Sequence, residues 1–307
     1  MKNSILLLVF TILIFSCKQD TFVDHTALFS SYPSLVPLND AYMKFKDDET
    51  ALNLLNDLGR VVLDKNVPEA QKKALLEAGL DVANQNNLNS RAIAILYPLI
   101  RDYGDPDKTS VWTAQLANNF YETNKEAAAN VLASSLFASG KSGSEISNLK
   151  SKYTLGDKDV NVYIAELGEG IFENPDDMGL NRNASMNYID ACQAYALSNP
   201  EDKQSPEYLY KAAEVAKSIR SSSKSLSLYD WILSKYPNNE RAPTALFIKG
   251  FILENELKNQ VSAKSVYEEF LVKYPTHQLA DDVQFLVENL GKSDEEIAKI
   301  IEGKQKK

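Results

Sequence analysis

Apolar residues recur at three-and-four spacing through most of the chain. Ala51, Leu52, Leu55, Leu58 and Val62 form one series, and Ala74, Leu75, Ala78 and Val82 a second. Ile93, Leu96, Leu99 and Ile100 form a third, in which Pro98 is expected to kink or shorten the element. This spacing puts side chains on one face of an α-helix. Strand-length alternation of apolar and polar residues is missing from the sequence. Short polar breaks separate the series: Asn84-Gln85-Asn86-Asn87, Gly104-Asp105-Pro106, Gly140–Gly143, Ser221–Ser223 and Pro237-Asn238-Asn239. The pattern predicts an all-α fold whose helices, about 12–18 residues long, are joined by short turns and so run antiparallel to their neighbours.

The chain also matches itself. LYDWILSKYP ends at Pro237 and VYEEFLVKYP ends at Pro275, 38 residues later. Each is followed by a further apolar series, with Ala242 and Phe247 in one and Ala280 and Phe285 in the other. Within each match a small residue is followed four positions later by an aromatic and twelve positions later by Pro: Ala263, Tyr267, Pro275, and Ser225, Tyr229, Pro237. Ala92, Leu96, Gly104 and Ala128, Leu132, Gly140 keep the spacing with Leu for the aromatic and Gly as terminator. Tyr188, Cys192 and Pro200 keep it without the small residue. Gly79, Ala213 and Gly250 supply a small residue one helix earlier.

This arrangement resembles the tetratricopeptide repeat (TPR), in which Trp is also frequent where Trp112 stands. The physics of the pattern is helix approach. Small residues let paired helices come close, the aromatic fills the space beside them, and Pro cannot continue the second helix. Each pair leaves an apolar flank that only the next pair covers, so pairs stack. The resemblance implies a right-handed superhelical solenoid of antiparallel pairs. Residues 39–145 are expected to hold N-terminal repeats and residues 181–307 C-terminal ones. The interval from Ala128 to Tyr188 is 60 residues, out of step with the rest, and the Gly-rich residues 146–180 are expected to form an irregular helical linker. In the family, first helices line a groove for partners. Carried over, that face comprises Tyr210, Glu214 and Lys217, then Phe247, Phe251 and Glu254.

The chain opens with Lys2 and an apolar run from Ile5 to Phe15, which ends at Ser16-Cys17. Eleven helical residues rise about 16 Å, half of a bilayer core, so the run reads as a secretory leader and not a span. Ile14-Phe15-Ser16-Cys17 resembles the lipobox of bacterial lipoproteins, with Phe15 in place of the usual small residue. The resemblance implies a leader over residues 1–16, acylation of Cys17 and, with Lys18 following, residence at the outer membrane. Residues 17–38, with Ser30, Ser31, Pro33, Ser34 and Pro37 and no period, are expected to form a flexible tether.

Composition narrows the function. The formal charge is −9 over 307 residues, and loss of Lys2 with the leader makes it −10. An acidic body does not suit a nucleic-acid backbone. Two His and two Cys leave little for a metal centre or a Ser-His-Asp triad. His25 falls in the expected tether, His277 at a helix start, and Cys192 among small apolar residues. No phosphate-binding, nucleophile-elbow or zinc-protease motif occurs. No catalytic residue, metal or cofactor is therefore expected. The sequence reads as a membrane-anchored scaffold or adaptor for other cell-envelope proteins, in the manner of TPR proteins of outer-membrane assembly or the Tol-Pal system. The alternative is a glycan- or nutrient-binding lipoprotein accessory to an outer-membrane transporter.

Overall fold

The computed structural model describes residues 23–176 and 179–292, with 295, 296 and 298. The expected leader and Cys17 lie outside the described residues. Every regular element among the described residues is helical. The chain divides into two compact units, with the boundary between Leu88 and Asn89.

The first unit holds α1 (Thr26–Phe29), α2 (Val36–Phe45), α3 (Asp48–Leu63) and α4 (Glu69–Gln85). The Ala51, Leu55, Leu58 series of α3 is buried, and α3 packs on both α2 and α4. Asp47 caps α3 by accepting the Thr50 N–H at 2.9 Å, and that bond holds its carboxyl below the usual range. Residues 23–38, expected as tether, are folded instead. Phe29 and Leu35 are buried. His25 Nε2 lies 3.0 Å from Asp81 Oδ2 on α4, and Asn39 Nδ2 donates to Thr26 Oγ1 at 2.9 Å. The Ser and Pro residues mislead because they punctuate very short helices: Pro37 sits in the first turn of α2, where no intrahelical N–H is needed.

The second unit holds α5 (Asn89–Asp102), α6 (Thr109–Glu122), α7 (Glu126–Ala138), α8 (Ser144–Leu149), α9 (Val160–Glu169), α10 (Arg182–Ser198), α11 (Gln204–Ser218), α12 (Ser222–Lys235), α13 (Arg241–Phe251), α14 (Gln260–Lys273) and α15 (Ala280–Asn289). A 3₁₀ turn (Gly170–Phe172) extends α9, and a π-helical turn (Ile252–Glu256) extends α13. Pro98 does not shorten α5, which runs on to Asp102 and buries Leu99 and Ile100.

Neighbours in the chain pack on each other from α5 to α7 and again from α10 to α15. Between these runs α7 packs directly on α10, although 43 residues separate Ala138 from Arg182. The intervening helices lie to the side: α8 packs on α6 and α7, and α9 packs on α10. Lys125, just before α7, clips the bypass shut, its Nζ standing 2.7 Å from Asp190 Oδ2 on α10.

Candidate functional site

The repeat positions are packing positions. Ala92, Ala128, Ser225, Tyr229, Ala263 and Tyr267 are all buried. Pro237 and Pro275 follow α12 and α14, each two residues beyond the last helical residue. The preceding residues, Tyr236 and Tyr274, share φ near −130° and ψ near 50°, outside the α region that a following Pro disfavours.

Two helix pairs repeat one polar contact. Tyr229 of α12 donates its hydroxyl to Glu214 Oε1 on α11. Tyr267 of α14 donates to Glu254 Oε2, in the π turn after α13, at 2.8 Å. Burial, and then the carboxylate beside it, pushes each phenol above its ordinary value. Beside these contacts, Ser225 Oγ donates to the Ala213 carbonyl at 2.9 Å. Gly250 faces Tyr267 so closely that an added Cβ would stand 2.7 Å from Cδ1 and nearer still to Cε1. Ala213 and Ser225 are twelve residues apart, but Gly250 and Ala263 are thirteen apart. The π turn absorbs the extra residue, since one added residue in a helix widens one turn from i→i+4 to i→i+5.

A pocket of about 510 Å³ opens beside α11. One wall is a stripe of α11 at helical spacing, including Tyr210, Lys211, Glu214 and Val215. The other wall is Gly168, Ile171, Phe172 and Leu180, with Tyr188 of α10 at the base. Gly168 lies on the Tyr188 ring, where an added Cβ would be 3.2 Å from Cε2. Arg241 closes one end. Its guanidinium makes two bonds to Glu207, at 2.7 and 2.9 Å, and its Cζ lies 4.6 Å from the Tyr210 ring centroid. The paired carboxylate raises the Arg241 pKa further.

The six groove residues expected from sequence fall into separate settings. Tyr210 and Glu214 line the pocket. Lys217 Nζ stands 5.9 Å from the Phe251 ring centroid, and Phe251 is 40 % exposed. Phe247 packs, half-buried, on the cluster of Leu246, Val266, Tyr267 and Phe270. Glu254 is occupied by Tyr267. Cys192 is fully buried, which pushes its thiol up to about 12. His277 Nδ1 accepts the Leu279 N–H at 3.2 Å, just before α15.

Gly168, Ile171, Phe172 and Leu180 were not among the sequence candidates. The available signal was the apolar Ile171-Phe172 pair set between glycines and Pro175 in the out-of-step interval. In comparisons with known proteins, no family model matches the chain and no curated protein does.

Proposed function

We propose that this chain is a lipid-anchored helical-repeat scaffold of a bacterial cell envelope, seated at the outer membrane through Cys17, that holds other envelope proteins. The observation that carries the repeat reading is the pair of tyrosines 38 residues apart, Tyr229 and Tyr267, both fully buried and each bonded to a glutamate of the preceding element. That is the TPR logic of a small residue, an aromatic and a close helix pair. It supports a right-handed superhelical solenoid in which α11 and α13 are first helices and α12 and α14 second helices. On this reading α8 and α9 stand in for the first helix of the pair completed by α10.

The anchoring reading rests on the short apolar run and Cys17. Among the described residues no helix is long and apolar enough to cross a membrane. Trp112 and Trp231 are 5 % and 4 % exposed, and Lys108 and Arg101 lie over their rings at 5.9 and 5.4 Å, which favours the scaffold over glycan capture. In-cell crosslinking of the lipidated protein, followed by mass spectrometry, tests the function. Recovery of peptidoglycan-associated or barrel-assembly proteins supports it. Recovery of an outer-membrane transporter alone favours the nutrient-binding alternative.

A further inference from the structure

The pocket beside α11 is balanced in charge along its lining and acidic at its margin. On the helical wall Arg241 and Lys211 stand against Glu207 and Glu214, two cations to two carboxylates. The lining residues of the opposite wall, Gly168, Ile171, Phe172 and Leu180, carry no charge, but the segment that supplies them is acidic. Residues 157–182 contain seven carboxylates and two cations; Lys158 is spent on Glu166 at 2.7 Å and Arg182 donates to the Ile219 carbonyl at 2.8 Å. Glu169 and Glu173 flank the lining residues in sequence, are exposed, and meet no cation among the described residues. Between them Phe172 is 69 % exposed at the mouth of a largely apolar pocket. An aromatic left in water beside such a pocket is a ready anchor for a partner's apolar side chains.

We propose that this pocket seats a basic amphipathic helix of a partner protein. Apolar side chains would enter between Phe172 and the α11 stripe, and Lys or Arg on the flanks would meet Glu169 and Glu173. The α11 wall presents residues at i, i+3, i+4 and i+7, the register in which one helix receives another. Complementary charge would set selectivity and the rate of encounter. This inference rests on the reading of the chain as a protein-binding scaffold and names the chemistry of the partner.

The test uses the purified full-length lipidated protein in detergent and a fluorescein-labelled amphipathic Leu/Lys 14-mer. Leu/Glu and Ser/Lys peptides of equal length serve as comparators, all read by fluorescence polarisation. The Leu/Lys peptide should bind and the other two should bind at least tenfold more weakly. Phe172→Ala should weaken binding at least tenfold. Its exposed side chain makes it a safe variant for folding, which an unchanged melting temperature verifies. The double variant Glu169→Gln, Glu173→Gln should weaken binding severalfold and flatten its salt dependence. Glu268→Gln, an exposed change on α14, should leave it unchanged. Equal binding of the Leu/Glu peptide, no effect of Phe172→Ala, or an equal effect of Glu268→Gln overturns the proposal. The crosslinking experiment separates the two readings. Partner proteins recovered in undiminished yield from Phe172→Ala cells would leave the scaffold and remove this site. Peptide binding with no protein crosslinked in cells would leave the site and remove the scaffold.

Discussion

Gly250 lies against the ring of Tyr267, with no room for a methyl group. Gly250→Ala should therefore destabilise the protein by roughly 1–3 kcal/mol despite the better helix propensity of Ala, because the ring or the backbone must shift. Gly59 of α3 has nothing within 4 Å of an added Cβ, so Gly59→Ala should gain about 0.5–1 kcal/mol. Denaturant midpoints of the two variants should move in opposite directions. Movement the same way would show that the α13–α14 approach is looser than described.

Stability should fall steeply in alkali. Tyr229 and Tyr267 have folded-state pKa values raised above the ordinary 10.0. Their stabilisation is full below the unfolded value and is lost as pH rises above it, by about 1.4 kcal/mol per pH unit for each tyrosine. Cys192, ordinarily at 9.0 and raised to about 12, starts the decline earlier. Lys224 acts in the opposite sense. Burial lowers its ammonium, so stability is gained as pH rises from its folded value toward 10.5. Melting temperatures between about pH 8 and 11 should be level at first and then drop, more shallowly in Tyr267→Phe. Superimposable profiles for wild type and variant would count against the burial of this phenol.

Asp190 is 9 % exposed and bonds Lys125 at 2.7 Å, and its charge also favours the ammonium of half-buried Lys224 on α12. Asp190→Ala leaves Lys224 with only its bond to Gln193, while Lys125 turns to solvent, and should cost about 1–2 kcal/mol. Adding Lys224→Met removes one stranded charge and should recover part of the loss. A double variant no more stable than the single one would show that Lys224 does not depend on Asp190.

Phe247 and Phe251 should separate stability from binding. Phe247→Ala empties space against the Tyr267 and Phe270 cluster and should cost about 2–3 kcal/mol. Phe251→Ala, at an exposed position beside Lys217, should cost about 0.5 kcal/mol and lower the yield of crosslinked partner more than Phe247→Ala does. The reverse ranking in urea melts would make Phe251 the core residue.

Cys17→Ala should move the protein from the membrane to the soluble fraction on cell fractionation. A single acyl chain gives only marginal binding and stable anchoring needs more than one, so partial release would point to incomplete acylation. Full retention would remove the anchor reading.

The helices were legible because their apolar series are long and their terminators strong. In LYDWILSKYP and VYEEFLVKYP the helices stop at Tyr236 and Tyr274, just before Pro, in the same backbone conformation. Residues 23–38 were not legible, because α1 has four residues and too few turns to show a period. The pocket was half legible. Tyr210 and Glu214 follow from helical spacing on α11, whereas Phe172 sits on a 3₁₀ turn whose place beside α11 is set by tertiary packing alone. Phe247 and Phe251, four residues apart on α13, read alike in sequence. They share a face of the helix but differ in burial because the cluster with Tyr267 and Phe270 packs on Phe247 and does not reach Phe251, one turn further along.

Because α7 closes directly onto α10, the 43 residues between them form a detour from which the stacking does not need to be threaded. The detour carries its own anchors to the stack, since Ile146, Leu149, Ile164 and Ile171 are buried. The exposed positions of residues 139–181 can change in charge or size while these buried residues hold α8 against α6 and α7, and α9 against α10. Under the proposed docking, changes at Phe172 and its exposed neighbours would retune one wall of the pocket while α11 supplies the other unaltered.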